Sequence, residues 1–254
     1  MKNLKHVLSL WLGLAIQLAY ANEVMNSSPK EMVELVAGLP KPPFIIDENG
    51  NGMQLELIRQ AFDVSDIDVS FIHMPLGRNI MGYRHENVDG IAILPPEYDH
   101  PTIYLSEPYI TYQNVAISLL EHNFTIEKIA DLSGKSVVSF QNAKKFLGDE
   151  FGKTVSYLVD YREIHDQKKQ IDLLFLRRAE VIVLDINIFR YMLKHHSEQY
   201  VMKPFKIHYI FNKRDYAVGF KSAELRDKFN YGLQITKDNG SYQMVLDNYL
   251  YQSM

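Results

Sequence analysis

Candidate ligand-binding groups gather where an apolar strand ends in a polar, proline-stiffened loop. Residues 87–109 run from an Asn-Val-Asp-Gly strand start, through three prolines, to Ser-Glu-Pro-Tyr. The loop carries three side chains that can act as acids or bases: Glu97, Asp99 and His100. The chain has no nucleophile elbow, no phosphate-binding loop and no His-Glu-x-x-His motif to accompany them. The pattern therefore favours a loop that holds a ligand, and His100 is typical of an exposed loop histidine.

Other candidate groups lie at further predicted strand ends. Arg78 follows one strand, where a solvated arginine is the alternative interpretation. Asn142 heads a helix. It could cap that helix or offer amide donors to a ligand. Asp185 ends another strand and could be the N-cap of the next helix. Aromatic faces suited to an apolar cleft come from Phe44, Tyr98, Tyr109 and Tyr112. Together with Asp185 and Asp99 as acids, these rings favour a ligand with a positive charge or an amine.

The elements that must position these groups alternate between strands and helices. Apolar periodicity predicts strands at 32–37, 69–73, 88–94, 135–140, 155–159, 181–184, 207–211 and 216–220. Helices are predicted at 53–62, 78–86, 125–132, 142–151, 166–178, 186–195, 223–238 and 241–251. This alternation indicates an α/β protein with parallel sheets, whose ligands bind outside the carboxyl ends of the strands.

The N terminus has the features of a secretory signal peptide. Lys2 and Lys5 precede the apolar run 7–18, and Ala19-Tyr20-Ala21 is a small-x-small cleavage site. A membrane anchor is the alternative, but the run is shorter than the ~20 residues that span a bilayer. We expect residues 1–21 to be removed near Ala21. Without cysteine the chain cannot carry a lipid anchor, so we expect the protein in the periplasm.

Composition excludes several classes of function. After loss of the two leader lysines, 25 basic residues face 31 acidic ones, a mature charge of about −6 that does not suit nucleic acid. The absence of cysteine excludes a disulfide framework. His195 and His196 are adjacent, whereas helical metal ligands lie three or four residues apart. We therefore expect no metal and no cofactor.

Seven short motifs follow one another along the mature chain. They are Pro42-Pro43-Phe44, Gly52 to Leu57, Val88-Asp89-Gly90, Ser106 to Tyr109, Asp131 to Val137, Ala179 to Asp185 and Asp238 to Tyr242. Each one occurs in many proteins. Their common order resembles that of bacterial extracellular solute-binding protein family 3, the polar amino-acid type.

The resemblance implies a type II periplasmic-binding-protein fold with two α/β lobes. Residues 29–114 with 215–254 would form lobe 1, and residues 115–214 would form lobe 2. A ligand would bind in the cleft between the lobes, which close on it by hinge motion. We expect a monomer.

Two positions depart from the family pattern. An arginine that clamps the ligand carboxylate in the family falls here at Tyr98 or Asp99, and neither can form that clamp. A Gly-Thr pair of the second lobe is replaced by residues 141–144, which include Asn142. Asp185 aligns with the acid that receives a ligand ammonium in the family, and Arg78 could replace the missing clamp. The ligand is therefore not expected to be held as an ordinary α-amino acid.

These observations predict a non-enzymatic periplasmic solute-binding protein for a small polar molecule that is amino-acid-like or amine-bearing. The ligand contacts expected are Phe44, Arg78, Tyr98, Tyr109, Asn142 and Asp185. The partner would be an ABC permease. The alternatives are a receptor for a membrane signalling partner, or a dehydratase-like enzyme on the same fold.

Overall fold

The computed structural model describes residues 30–75, 83, 87–196 and 203–250. The predicted signal peptide and Arg78 lie outside these residues, as does most of the helix predicted at 78–86. The strands are β1 Glu31–Ala37, β2 Ile67–His73, β3 Gly90–Leu94, β4 Tyr104–Leu105, β5 Ile110–Tyr112, β6 Asn114–Leu119, β7 Ser136–Phe140, β8 Asp160–Ile164, β9 Val181–Asp185, β10 Phe205–His208 and β11 Arg214–Phe220. The helices are α1 Met53–Asp63, α2 Ala143–Phe146, α3 Asp149–Thr154, α4 Gln167–Phe175, α5 Ile186–His196, α6 Ala223–Asp238 and α7 Ser241–Leu250.

The strands form two separate mixed sheets. The first has the order β2-β1-β3-β11-β4, with β5 also paired to β11. In it β1 is parallel to β2 and β3, whereas β11 is antiparallel to β3, β4 and β5. The second has the order β10-β6-β9-β7-β8, with β7 parallel to β8 and β9, and β6 antiparallel to β9 and β10. The expectation of purely parallel sheets is therefore wrong.

Helices cover the sheets with apolar faces. α1 buries Met53, Leu55, Ile58, Ala61 and Phe62, the spacing that a helix needs to direct one stripe at a sheet. α6 begins where the Ser222 side chain accepts hydrogen bonds from the backbone N–H groups of Glu224 and Leu225. α1 and α6 pack against each other, and both close the face of the first sheet.

The Val-Asp-Gly motif builds the first sheet. Asp89 accepts a hydrogen bond from the backbone N–H of Glu34 through its carboxylate at 2.8 Å. A Cβ at Gly90 would stand 2.3 Å from the carbonyl oxygen of Gly219, so only glycine lets β3 and β11 approach. The motif is therefore explained by packing.

The Ser-Glu-Pro-Tyr motif anchors the chain beside β11. The Ser106 hydroxyl accepts a hydrogen bond from the backbone N–H of Val218 and donates to the Glu107 carbonyl. The Tyr109 backbone N–H donates to the Tyr216 carbonyl at 3.0 Å. These bonds hold β5 where the chain leaves the first sheet.

Several predicted elements differ in the second half. The strand predicted at 155–159 is wrong: residues 155–157 form a 3₁₀ turn, and β8 follows at 160–164. Of the helix predicted at 125–132, only a 3₁₀ turn at 129–132 forms. The helix predicted at 142–151 divides at Gly148, whose φ of 88° ends one helix and precedes the next.

The chain passes between the two sheets twice. It leaves the first sheet after Tyr112 and enters the second at Asn114, and it returns between His208 and Arg214. The lobe boundaries 29–114 with 215–254 and 115–214 stay a prediction. None of the described helices is both long enough and apolar enough to cross a bilayer.

Candidate functional site

A cluster of rings and opposite charges lies where the chain crosses between the sheets. Phe44 and Tyr112 stack with ring centroids 3.9 Å apart, and Tyr216 meets Tyr112 edge-on at 5.1 Å. Lys41 lies over the rings, and Asp185 at the end of β9 interacts electrostatically with Lys41. We call these five residues the junction cluster.

The loop before α1 positions Lys41 and Phe44. The Lys41 N–H donates to the Ile45 carbonyl at 2.6 Å, which closes a tight turn around Pro42-Pro43. The Phe44 carbonyl accepts the Gln54 N–H at 3.0 Å, so the turn is fastened to the first residues of the helix. The Tyr112 hydroxyl donates to Oε1 of the same Gln54 at 2.9 Å, which fixes the ring that stacks on Phe44.

Lys41 brings a partly desolvated positive charge to the cluster. Its Nζ is 4.6 Å from the centroid of the Tyr112 ring and 6.0 Å from that of Phe44, at cation–π range. Burial lowers the pKa of Lys41 to about 8, and the negative charge of Asp185 opposes that shift. Within the described part of the chain, no carboxylate oxygen forms an ion pair with its Nζ. Lys41 therefore presents a charge that its neighbours balance only at longer range.

Asp185 is buried and already has several hydrogen-bond donors. Its side chain is 2% exposed. Oδ2 accepts the Gln113 N–H at 2.8 Å, and Oδ1 accepts the N–H groups of Asn187 at 2.8 Å and Ile188 at 3.2 Å. Burial raises the pKa of Asp185 to about 6 against the opposing effects of these N–H groups and of Lys41. The helix-capping role that the sequence allowed for Asp185 is confirmed.

Arg214 connects the two halves beside the junction cluster. Its Nη2 lies 2.9 Å from Oε1 of Glu97, in the proline-stiffened loop. Nη1 donates to the Phe146 carbonyl at 3.3 Å, at the end of α2, and the guanidinium lies 5.6 Å from the Tyr216 ring. One side chain thus joins a loop of the first half to a helix of the second.

Asn142 does not cap the helix that follows it. Its backbone is left-handed, with φ of 64°, and its side chain makes no capping hydrogen bond. The backbone N–H groups of Asn142 and Lys144 instead donate to the carboxylate of Glu163, at 2.8 and 3.2 Å. The Tyr161 hydroxyl donates to the same carboxylate at 2.8 Å. The protein's own carboxylate thus occupies these backbone donors.

The remaining sequence candidates are not members of the junction cluster. Tyr109 is 1% exposed, and its hydroxyl donates to the Ala92 carbonyl at 2.6 Å, so its ring belongs to the core. Tyr98 is half-buried against a small core group that includes Ile91 and Leu94. Asp99 is exposed. Of the six predicted contacts, Phe44 and Asp185 lie together in the junction cluster.

Sequence reasoning did not select Lys41, Tyr216 or Arg214. The position of Lys41 directly before the Pro-Pro-Phe motif was an available signal, since residues next to that rigid turn have a fixed direction. Arg214 and Tyr216 open β11, but nothing local distinguishes them from solvated strand residues.

Comparison with solved structures identifies the architecture. An ancestral arginine-binding protein bound to glutamine matches with a TM-score of 0.65 at 19% identity, over 87% of this chain and 99% of that one. A histidine kinase sensor domain with similarity to periplasmic binding proteins matches with a TM-score of 0.67 at 17% identity, over 87% and 97% of the two chains.

The amino acid ABC transporter substrate-binding protein AbpA from Streptococcus pneumoniae, bound to L-arginine, matches with a TM-score of 0.63. Its identity is 16%, over 87% of this chain and 95% of that one. The chain has the two-lobed periplasmic-binding-protein fold. In this fold the junction cluster lies at the crossovers between the lobes. No family model and no curated protein sequence matches the chain.

The described residues contain no group of three or more metal-binding side chains that could hold an ion. The junction cluster presents stacked rings, a cation and a buried acid. Such a set can orient a small ligand through an apolar body and a few charged contacts.

Proposed function

We propose that this protein is a non-enzymatic periplasmic solute-binding protein that captures a small polar molecule between two closing lobes. The observation that carries the proposal is the junction cluster, where Lys41 and three rings of the first half lie near Asp185, which ends β9 of the second sheet. A ligand there would touch both halves at once. Contact with both halves is what allows binding energy to favour a closed state.

The ligands of the similar structures support a small-molecule role. One is an arginine-binding protein bound to glutamine, and another is a substrate-binding protein bound to L-arginine. An amino-acid-like ligand is therefore the first class to test. Recognition of an amine by Asp185 has less support than the sequence suggested, because that carboxylate already accepts three backbone N–H groups and interacts with Lys41.

A thermal-unfolding screen tests the proposal. The mature protein would be scanned with amino acids, amines, organic acids and short peptides, and L-glutamine and L-arginine would be included. A ligand at 100 times its dissociation constant adds ~2.7 kcal/mol of stability. For a protein of this size that corresponds to a rise in Tm of roughly 5 to 10 °C.

Calorimetry would then give the affinity and the stoichiometry of each hit. One site per chain, with compaction of the protein in X-ray scattering, is the expected result. If no compound raises Tm, or if the hits bind without compaction, capture by lobe closure is refuted. Conversion of a hit into product during the assay would replace the binding role with the dehydratase-like alternative.

Delivery to an ABC permease is the role that we favour for the bound form. The likeness to an ABC substrate-binding protein supports uptake, and the likeness to a kinase sensor domain supports a receptor role as the second candidate. Adjacent permease and ATPase genes would favour uptake, whereas an adjacent sensor gene would favour signalling. Fractionation of cells, with mass determination of the mature N terminus, tests export and cleavage near Ala21.

A further inference from the structure

The junction cluster contains a cation that lacks a close anionic partner. Lys41 lies against two aromatic faces, 4.6 and 6.0 Å from their centroids, and is partly buried. Arg214, which borders the cluster, is already paired with Glu97 at 2.9 Å, and Lys213 is exposed to solvent. Among the described residues, Lys41 is thus the junction cation with the most capacity to receive an anion.

The second half offers little competition for that anion. The backbone donors of Asn142 and Lys144 hold the carboxylate of Glu163, and the N–H groups at the start of α5 hold Asp185. A ligand carboxylate would have to displace a carboxylate of the protein at either place. Binding of a ligand carboxylate at Lys41 displaces no carboxylate of the protein.

We propose that Lys41 is the ligand's anion receptor, so that the site selects a small molecule with a single carboxylate and an apolar body lying beside the half-buried Tyr216 ring. This inference rests on the proposed function and names its ligand class. The ammonium provides charge-assisted hydrogen bonds in a partly dry site, where they are stronger than in water. Lys41 also interacts electrostatically with Asp185, so the Asp185 carboxylate does not need a ligand ammonium to balance its charge.

The charge of the cluster favours one negative charge on the ligand. Asp185 lies near Lys41, and Glu97 lies near Tyr216 through Arg214. A phosphate or a dicarboxylate would bring a second negative charge towards these acids, which repel it. A monocarboxylate would balance Lys41 and leave the rest of the cluster unchanged.

Matched compounds separate the ligand's charges. Phenylpropionate, phenethylamine and L-phenylalanine share one body and carry a carboxylate, an amine or both, and pentanoate, butylamine and L-norvaline form a second set. Titration calorimetry on the mature protein should show at least one carboxylate binding tenfold or more tightly than its matched amine. Inorganic phosphate should bind more weakly than that carboxylate.

Variants then assign the selectivity to Lys41. Lys41→Met should weaken carboxylate binding tenfold or more, and Lys41→Arg should restore most of it. Lys135→Met is the matched control, because Lys135 also lies over a ring, 4.9 Å from the Phe124 centroid, outside the cluster. It should bind like the wild type. Circular dichroism would establish that each variant is folded.

The possible failures are distinguishable. If amines or phosphate bind better than the carboxylates, or if Lys41→Met binds as well as the wild type, the anion-receptor role is refuted and the proposed function stands. The same conclusion follows if neither carboxylate binds while the broad screen yields a ligand that has no carboxylate. If the broad screen yields no ligand, the proposed function fails as well.

Discussion

Lys41→Met should stabilise the protein at neutral pH although it removes a cation–π contact. Burial lowers the pKa of Lys41 from 10.5 to about 8, so the folded state holds the proton less tightly than the unfolded state. At pH 7 this shift costs the wild type about 3 kcal/mol of stability. The lost contact with the rings offsets about 1 kcal/mol, which leaves a net gain of about 2 kcal/mol for the variant.

The gain should shrink as the pH rises. Between pH 8 and 10.5 the unfolded chain binds more protons at this lysine than the folded one, so stability rises with pH. The cost falls to about 1 kcal/mol at pH 9.5, and the advantage of Lys41→Met should therefore decrease by about 2 kcal/mol from pH 7. The groups that face Lys41 are Asp185, ionised throughout this range, and Tyr112, whose pKa burial raises well above its ordinary value.

Urea unfolding followed by circular dichroism at both pH values measures this difference. The single tryptophan of the chain is Trp11, in the predicted leader, so tryptophan fluorescence would not report on the mature protein. Lys135→Met is the control: it measures the change in stability caused by the loss of a lysine that lies over a ring outside the junction cluster. If Lys41→Met is no more stable than the wild type at pH 7, and the difference is the same at pH 9.5, the desolvated environment inferred for Lys41 is wrong.

Three further variants test other parts of the structure. As the pH rises from 3.8 to about 6, the wild type should lose about 3 kcal/mol of stability, because the raised pKa of Asp185 lets the folded state keep a proton that the unfolded state releases. Asp185→Asn should abolish this loss. An unchanged dependence of stability on pH in this range would contradict the prediction. Gly90→Ala should lower the free energy of unfolding, measured in urea, by about 2 to 4 kcal/mol, because the added Cβ would meet the Gly219 carbonyl. A loss below about 1 kcal/mol in the same assay would mean that the two strands separate easily. Arg214→Met should change stability by less than about 1 kcal/mol, because the ion pair of Arg214 with Glu97 is partly exposed. Stopped-flow measurements should nevertheless show severalfold faster ligand release from the variant. Equal release rates would exclude Arg214 from lobe closure.

Local patterns predicted those elements whose apolar residues repeat strongly. α1, α6, β1 and β9 form within one or two residues of their predicted bounds, because a buried face imposes its period on the sequence. The strand predicted at 155–159 failed because a short apolar run fits a turn as well as a strand. β8, in contrast, is poor in apolar residues, since its side chains are mostly exposed or half-buried.

Two motifs of the first half fix the path of the chain beside β11. Val-Asp-Gly and Ser-Glu-Pro-Tyr direct the chain through close packing and hydrogen bonds to β11. Tyr109 therefore lies in the core, although it belongs to a motif near the junction. A motif can recur because a fold requires it, and its residues then need not touch a ligand.

The sequence by itself determined the alternation of strands and helices, the order of the motifs and the positions of Phe44 and Asp185 at strand or turn ends. Those properties depend on neighbours along the chain. Only the tertiary structure decided that Lys41 lies over Tyr112 and near Asp185, and that Glu163 occupies the donors at Asn142. Desolvation and charge pairing depend on residues brought together from distant parts of the chain, so the balance of charges at the junction emerges only when both sheets are in place.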